Sequence, residues 1–143
     1  MKKIFKMSSM TRSILIVFWV SGVVLLASSC ATVPTGPLAP GELRLLGLEV
    51  EGGGIVTLGL QYSVRVIFEA DGKPEIKRAC FSWSGEGPDC FKVKEIDYDL
   101  PATLSVRLQT RNPGSFRLEC YVEYIRDGRT QRTNVVGSQI TVR

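Results

Sequence analysis

Residues 116–124 read FRLECYVEY, and this stretch decides the fold because its apolar residues fall on every second position. Phe116, Leu118, Cys120, Val122 and Tyr124 alternate with residues that are mostly charged. Successive side chains of a β-strand point to opposite faces, so this pattern predicts a strand with one buried face. The same alternation occurs in residues 62–69 (YSVRVIFE) and 104–109 (LSVRLQ).

Weaker apolar runs occupy the rest of the chain beyond residue 42, and turn signals separate them. The runs cover residues 43–50, 55–60, 76–83, 91–97 and 133–142. Glycine-containing turn sequences such as Asp71-Gly72 and Asp127-Gly128 lie between them. No segment has a capped helical stripe. We therefore predict an all-β fold over residues 42–143, an antiparallel two-sheet sandwich of about seven or eight strands, with a small barrel as the alternative.

The length and strand count of residues 42–143 resemble an immunoglobulin-like or fibronectin-like domain. The antibody hallmarks are absent, because Trp83 follows Cys80 by only three residues and no tyrosine stands two places before Cys120. The resemblance therefore implies a generic immunoglobulin-like sandwich.

The first 29 residues have the composition of a bacterial secretory signal. Residues 1–12 are basic, and residues 13–29 (SILIVFWVSGVVLLASS) carry no charge. Small residues then precede Cys30, as at a processing site. An uncleaved membrane anchor is the alternative, although the uncharged run is at the short limit for a spanning helix.

Leu26-Ala27-Ser28-Ser29-Cys30 resembles the lipobox of bacterial lipoproteins. The resemblance implies a signal peptide over 1–29 and acyl chains on Cys30, which would hold the protein at a membrane. Ordinary secretion without lipidation is the alternative. In enteric lipoproteins an Asp directly after the lipidated cysteine resembles a signal for retention at the inner membrane, and this chain has Ala31 at that position. We therefore expect an extracytoplasmic envelope protein, leaning towards the outer membrane.

Residues 31–41 (ATVPTGPLAPG) predict a tether between the anchor and the domain. Pro34, Pro37 and Pro40 recur at every third position, which suits an extended and semi-rigid spacer. With Cys30 as the lipidated residue, the predicted organisation is signal peptide 1–29, anchor and flexible tether 30–41, and domain 42–143.

Beyond Cys30 the chain has three cysteines, so at most one internal disulfide can form. Alternation places Phe81 and Trp83 on the core face and Cys80 on the outer face, whereas Cys120 shares the inward face of its strand. Cys80 and Cys90 bracket a turn sequence, and we predict that they are bonded. Cys120 is then a buried thiol. A Cys80–Cys120 bond is the alternative if a bulge shifts the register.

Catalytic and metal-binding patterns are missing from the sequence. There is no histidine, which removes histidine-based nucleophilic triads and the commonest zinc ligand. Glu95, Asp97 and Asp99 would share one face of an extended segment, and a solvated strand face explains them better than a calcium site. We therefore predict no catalytic residue, no metal, no cofactor and no enzymatic activity.

The positive net charge does not indicate nucleic-acid binding. The chain has 18 Lys and Arg against 14 Asp and Glu, and four of the basic residues lie in residues 1–12. The remainder is formally neutral and has no electrostatic footprint for a phosphate backbone.

Tyr121 lies on the polar face of its strand and is the single candidate partner contact, although cross-strand packing explains it as well. The leading interpretation is a lipid-anchored module that binds or scaffolds an envelope protein or a surface polymer. The alternatives are a carboxylate-based hydrolase of cell-wall or polysaccharide material, and an accessory lipoprotein of a secretion or pilus-type assembly.

Overall fold

The computed structural model describes residues 33–143, and these residues form two packed β-sheets. The strands are β1 (Leu43–Val50), β2 (Ile55–Val56), β3 (Gln61–Ala70), β4 (Ile76–Trp83), β5 (Asp89–Phe91), β6 (Glu95–Asp97), β7 (Ala102–Gln109), β8 (Gly114–Arg126), β9 (Arg129–Arg132) and β10 (Val136–Val142). Sheet 1 has the order β1-β3-β7-β6. Sheet 2 has the order β2-β10-β8-β4-β5, with β9 paired to β8. The predicted all-β, two-sheet sandwich is confirmed.

The core lies between the two sheets and is built by the alternating residues of the long strands. Val64, Val66 and Leu104 of sheet 1 and Leu118 and Val122 of sheet 2 are 0% exposed. Because strand side chains alternate, the intervening residues of these strands face outward. The pairing is antiparallel throughout with one exception, in which β2 runs parallel to β10.

The parallel pair arises because the chain changes sheets after β1. A short turn over Glu51–Gly54 carries the backbone from sheet 1 to the edge of sheet 2. Gly54 is buried with a φ of +86°, and a Cβ atom at this position would lie 2.7 Å from the carbonyl oxygen of Gln139 on β10. Only glycine allows so close an approach, so the triple glycine is part of the fold.

Several predicted strand limits differ from the observed ones. The run 55–60 forms a strand only at Ile55–Val56, and residues 91–97 divide into β5 and β6 on different sheets. The run 133–142 becomes a strand from Val136, after β9 has formed a hairpin with β8 across Asp127-Gly128. Each difference marks a place where the chain leaves one sheet or one ladder for another, which alternation alone does not reveal.

The chain enters the sandwich at one end, which we call the entry end. The backbone N–H of Gly41 donates to the Asp71 carboxylate, and the N–H of Asp71 donates to the carbonyl of Glu42. The entry end also holds the β8–β9 turn. β1 runs from here to Val50 at the opposite end, which we call the far end and which carries the loops 57–60, 84–88 and 110–113.

Arg44 fixes part of the predicted tether on the domain. Its side chain is 7% exposed, and one terminal nitrogen donates to the carbonyl oxygens of Pro34 and Gly36 at 3.1 and 2.9 Å. Ion pairs to Glu42 and Glu69 complete its contacts. The backbone of residues 34–36 therefore lies against the outer side of β1.

Asn134 links the edge of sheet 1 to sheet 2. β1 is an edge strand, so its outward backbone groups have no ladder partner. The side-chain amide of Asn134 accepts from the Leu45 N–H and donates to the Leu45 carbonyl, both at 2.9 Å. One side chain thus takes the place of a neighbouring strand at this point and closes the sandwich on one side.

Replacing Asn134 should destabilise the domain because two backbone groups at a closed edge would lose their partners. We predict that Asn134→Ala lowers the free energy of unfolding by about 2 kcal/mol in urea titrations. Gln131→Ala, an exposed change on neighbouring β9, serves as the control and should change stability by less than about 0.5 kcal/mol. Equal stability of the two variants would show that Asn134 does not close the edge.

Candidate functional site

The residues singled out from the sequence are distributed over different parts of the molecule. Cys30 lies outside the described residues. Cys80 and Cys90 face one another on β4 and β5 and form the predicted disulfide. Cys120 is free and buried in the core, and burial raises the pKa of its thiol far above the ordinary value. Cys120 lies in the core as predicted, and Cys80 lies on the opposite face of its strand, beside Tyr121, where it is nevertheless 0% exposed.

Tyr121 lies at the centre of the outer face of sheet 2, opposite Cys80 on β4. The guanidinium of Arg132 lies over its ring, 4.9 Å from the centroid. A cation on the ring face is a favourable contact, and it covers part of the surface that a partner would use. The structure therefore gives Tyr121 a cross-strand packing role, while its part in partner contact stays a prediction.

A buried carboxylate organises the polar residues around Tyr121. Glu123 is 5% exposed and accepts hydrogen bonds from Arg78 at 2.5 Å and Arg132 at 3.2 Å. The hydrogen bond from Arg78, followed by the charges of both arginines, outweighs desolvation and lowers the pKa of Glu123. These ion pairs link β9 and β4 to β8. The Glu123 carboxylate therefore stabilises the outer face of sheet 2 and is not free to react.

A groove runs along the outer face of sheet 1. It has a volume of about 940 Å³ and is lined by charged side chains from the four strands of sheet 1 and the β5–β6 connection, which include Glu49, Arg65, Lys92, Lys94, Glu95 and Arg107. Arg65 and Glu49 pair at 3.7 Å. Because both signs of charge alternate over an open surface, the groove has no single electrostatic preference.

A second and smaller depression, which we call the far cleft, lies between two loops of the far end. Its volume is about 450 Å³. Its lining comes from the end of β4, the loop before β5 with the first residue of β5, the end of β7, the β7–β8 connection and the start of β8. The lining residues are Trp83, Glu86, Asp89, Gln109, Thr110, Arg111, Asn112 and Phe116. None of the sequence-based candidates lies here, because the residues come from separate segments and form no motif.

The far cleft contains polar atoms that lack partners. The hydroxyl of Thr110 is buried and makes no hydrogen bond, although the residue is only 7% exposed. The indole N–H of Trp83 and the hydroxyl of Tyr62 are also buried, but these two groups lie close enough to interact with one another, so Thr110 is the clearer case. Burial is the main cause that raises the pKa of Tyr62, and the nearby Trp83 lowers it in part. Unpartnered buried groups are rare and point to a ligand or ordered water.

The carboxylates of the far cleft do not form a typical acid catalyst. Glu86 and Asp89 are both exposed. A glycosidase relies on a carboxyl group whose surroundings are dry enough to keep it protonated, opposite a second carboxylate. Neither exposed carboxylate therefore has the dry surroundings that a glycosidase gives its general acid. In residues 33–143 there is also no group of three or more metal-ligating side chains.

Among the helices of the described residues, none has the length and apolar character that crossing a membrane requires.

Comparisons with known proteins bear on the architecture alone. No protein-family model matches the chain, and no curated protein matches it in sequence. Among solved structures, it is similar to a PKD domain of an M14-like peptidase from a Thermoplasmatales archaeon (10% identity, TM-score 0.46, 71% of this chain and 97% of that one). It is also similar to a CARDB domain from Pyrococcus furiosus solved with di-metal ions (15% identity, TM-score 0.46, 77% of this chain and 95% of that one). A third similar structure is a cohesin module of a Clostridium perfringens family 33 glycoside hydrolase (12% identity, TM-score 0.39, 69% of this chain and 97% of that one).

The strand order of the chain itself defines its class. Sheet 1 has the order of the A-B-E-D sheet of an immunoglobulin constant-type domain, and β10, β8 and β4 have the order of its G-F-C sheet. The chain is therefore an immunoglobulin-like β-sandwich domain.

The Glu123 cluster generates a prediction about acid stability. A carboxyl whose pKa is lowered by folding stabilises the protein above its unfolded pKa, and this contribution is lost as the pH falls through the folded pKa. We expect Glu123→Gln to be less stable than the wild type near pH 7 and the difference to shrink on acidification from about pH 5 to about pH 2. Urea titrations over this range measure it.

Glu119→Gln is the matched control, because Glu119 pairs with Arg117 on the exposed part of the same strand. An exposed pair contributes little, so this variant should follow the wild type closely. If Glu123→Gln and the wild type lost stability in parallel with falling pH, the stabilising role of the Glu123 carboxylate would be contradicted.

Proposed function

We propose that this protein is a lipid-anchored binding module of the bacterial cell envelope, held by acyl chains on Cys30 and presenting the far end of its sandwich away from the membrane. The observation that carries the proposal is the direction of β1. The chain arrives at the entry end, where Gly41 and Glu42 contact Asp71, and β1 then runs towards the far end. Anchor and far cleft therefore belong to opposite ends of the domain.

The contacts of Arg44 make this geometry more definite. Pro34 and Gly36 are hydrogen-bonded to the domain, so the stretch from Cys30 to Pro34 has only a few residues. Even at full extension, about 3.5 Å per residue, a stretch of this length spans at most roughly 14 Å. A short connection restricts how far the domain can turn over, and it keeps the entry end close to the lipid surface.

Binding is preferred over catalysis on the chemistry of the far cleft. Its planar polar side chains and aromatic rings suit recognition, whereas its two carboxylates are exposed. The absence of histidine from the sequence also removes the commonest general base. The partner is an envelope protein or a surface polymer, and the leaning towards the outer membrane rests on Ala31.

Cys30→Ser tests the anchor. We predict that the wild-type chain sediments with the membrane fraction and that Cys30→Ser moves to the soluble fraction, because acyl chains on one sulfur and the new amino group provide the membrane affinity. Intact-mass spectrometry of the wild type should give a chain that begins at Cys30 and carries added acyl mass. Cys120→Ala, which removes a different thiol, is the control and should stay membrane-bound.

The anchor assignment would be wrong if Cys30→Ser remained in the membrane fraction to the same extent as the wild type. An unmodified full-length chain by mass spectrometry would contradict it as well. Density-gradient separation of the two membranes then tells whether the wild type resides in the outer one.

A further inference from the structure

We infer that the far cleft binds a neutral, β-1,4-linked carbohydrate chain. The inference rests on the proposed function in one respect, since the cleft belongs to the end that would face away from the anchor. Its volume of about 450 Å³ is within the usual range for small-ligand sites. The class of ligand is inferred from the side chains that line the cleft.

Two aromatic rings form the apolar part of the cleft. Trp83 and Phe116 are partly buried and pack against the core, so the core holds them in place while part of each ring remains open to the cleft. Trp83 ends β4 and Phe116 lies near the start of β8, next to one another in sheet 2. A β-1,4-linked pyranose presents a flat C–H face, which packs well on a rigid ring of this kind.

The rest of the lining is almost entirely planar and polar. Five of the eight lining residues have a carboxylate, amide or guanidinium group: Glu86, Asp89, Gln109, Arg111 and Asn112. Gln109 Nε2 already donates to the carbonyl of Gly59, whereas each of the other four groups offers two hydrogen-bonding atoms in one plane, a spacing that matches two neighbouring hydroxyls of a sugar. Hydrogen bonds with an ionised partner are the stronger ones, and three of the five are charged.

The unpartnered hydroxyl of Thr110 is the independent sign of a ligand. The residue lines the cleft, is only 7% exposed, and has no hydrogen-bond partner for its Oγ1. A buried hydroxyl without a partner costs about 1 to 3 kcal/mol. The Oγ1 atom is closed off from solvent, so a sugar hydroxyl reaches it once the threonine side chain or its neighbours shift slightly. Because a sugar hydroxyl both donates and accepts, it would then satisfy Thr110 whichever way the threonine hydroxyl points.

The charges and shape of the lining disfavour other polymers. The lining carries two carboxylates and one guanidinium, and this net negative charge disfavours an anionic chain such as a nucleic acid. No Leu, Ile, Val or Met lines the cleft, whereas sites for apolar peptide side chains are lined mainly by such groups. A neutral ligand rich in hydroxyls fits both facts.

The fluorescence of Trp83 gives a direct test. The chain has two tryptophans, and Trp19→Phe leaves Trp83 as the only one. The full-length Trp19→Phe chain is solubilised in a detergent that has no sugar headgroup and is titrated separately with cellotetraose and with the β-1,4-linked tetramer of N-acetylglucosamine. We expect a saturable change in emission with at least one of them, at a dissociation constant below about 1 mM.

Variants of the lining distinguish the cleft from other sites. In the Trp19→Phe background, Asp89→Ala and Asn112→Ala should each weaken binding about tenfold, because each removes planar hydrogen-bonding atoms. Asp97→Ala is the matched control, since Asp97 is an exposed carboxylate on β6 of the other sheet and should leave the dissociation constant unchanged. Melting curves of all the variants verify that each one is folded.

Two results would overturn the inference. One is the lack of any saturable change with either tetrasaccharide up to about 10 mM. The other is a saturable change that Asp89→Ala and Asn112→Ala leave unaltered. The titration is done in detergent, so it does not depend on Cys30: a failed anchor would leave the binding intact, and failed binding would leave membrane attachment intact.

Discussion

The two-residue alternation of the long strands is the constraint on which the rest of the structure depends. β3, β7 and β8 each bury one side and expose the other, and the two buried sides meet to form the core. A slip of one residue in any ladder would turn the apolar side of that strand towards water. The register therefore also determines which face of the sheet each side chain occupies. This includes the two cysteines of the disulfide and the free thiol of Cys120.

Because of this constraint the interior holds apolar side chains, and the polar side chains that make specific contacts lie at the edges of the sheets and at the ends of the sandwich. Leu45 would leave bare backbone groups at an edge, and Asn134 supplies the missing partner. Arg44 lies near the start of β1 and donates hydrogen bonds to the carbonyls of Pro34 and Gly36 in the incoming chain. The far cleft forms where β4 and β7 end, because loops there are free of the alternation that governs the strands.

Much of the fold could be predicted from the sequence, because alternation is a local signal. The limits of β1 and of the strand over residues 76–83 follow from apolar runs bounded by turn sequences, and the Cys80–Cys90 bond and the inward Cys120 follow from the side of the strand on which each cysteine falls. Features that depend on contacts between distant segments could not be predicted. Asn134 and Leu45 are far apart in the chain, and the parallel pairing of Ile55–Val56 requires the change of sheet at Gly54. The far cleft joins Trp83 to Asn112, two residues that no spacing rule connects.

In the proposed arrangement the entry end lies at the lipid surface and the far cleft lies at the opposite end of the sandwich. Lipid quenching measures the distance of each end from the membrane most directly. A fluorophore is placed on Lys73→Cys at the entry end or on Leu60→Cys at the far end, in full-length protein reconstituted into vesicles with a lipid-borne quencher; Cys120 is buried and should not react. The two sites lie at opposite ends of β3, which is about 33 Å long. We expect strong quenching at position 73 and little at position 60. Equal quenching at both positions, or stronger quenching at position 60, would contradict it.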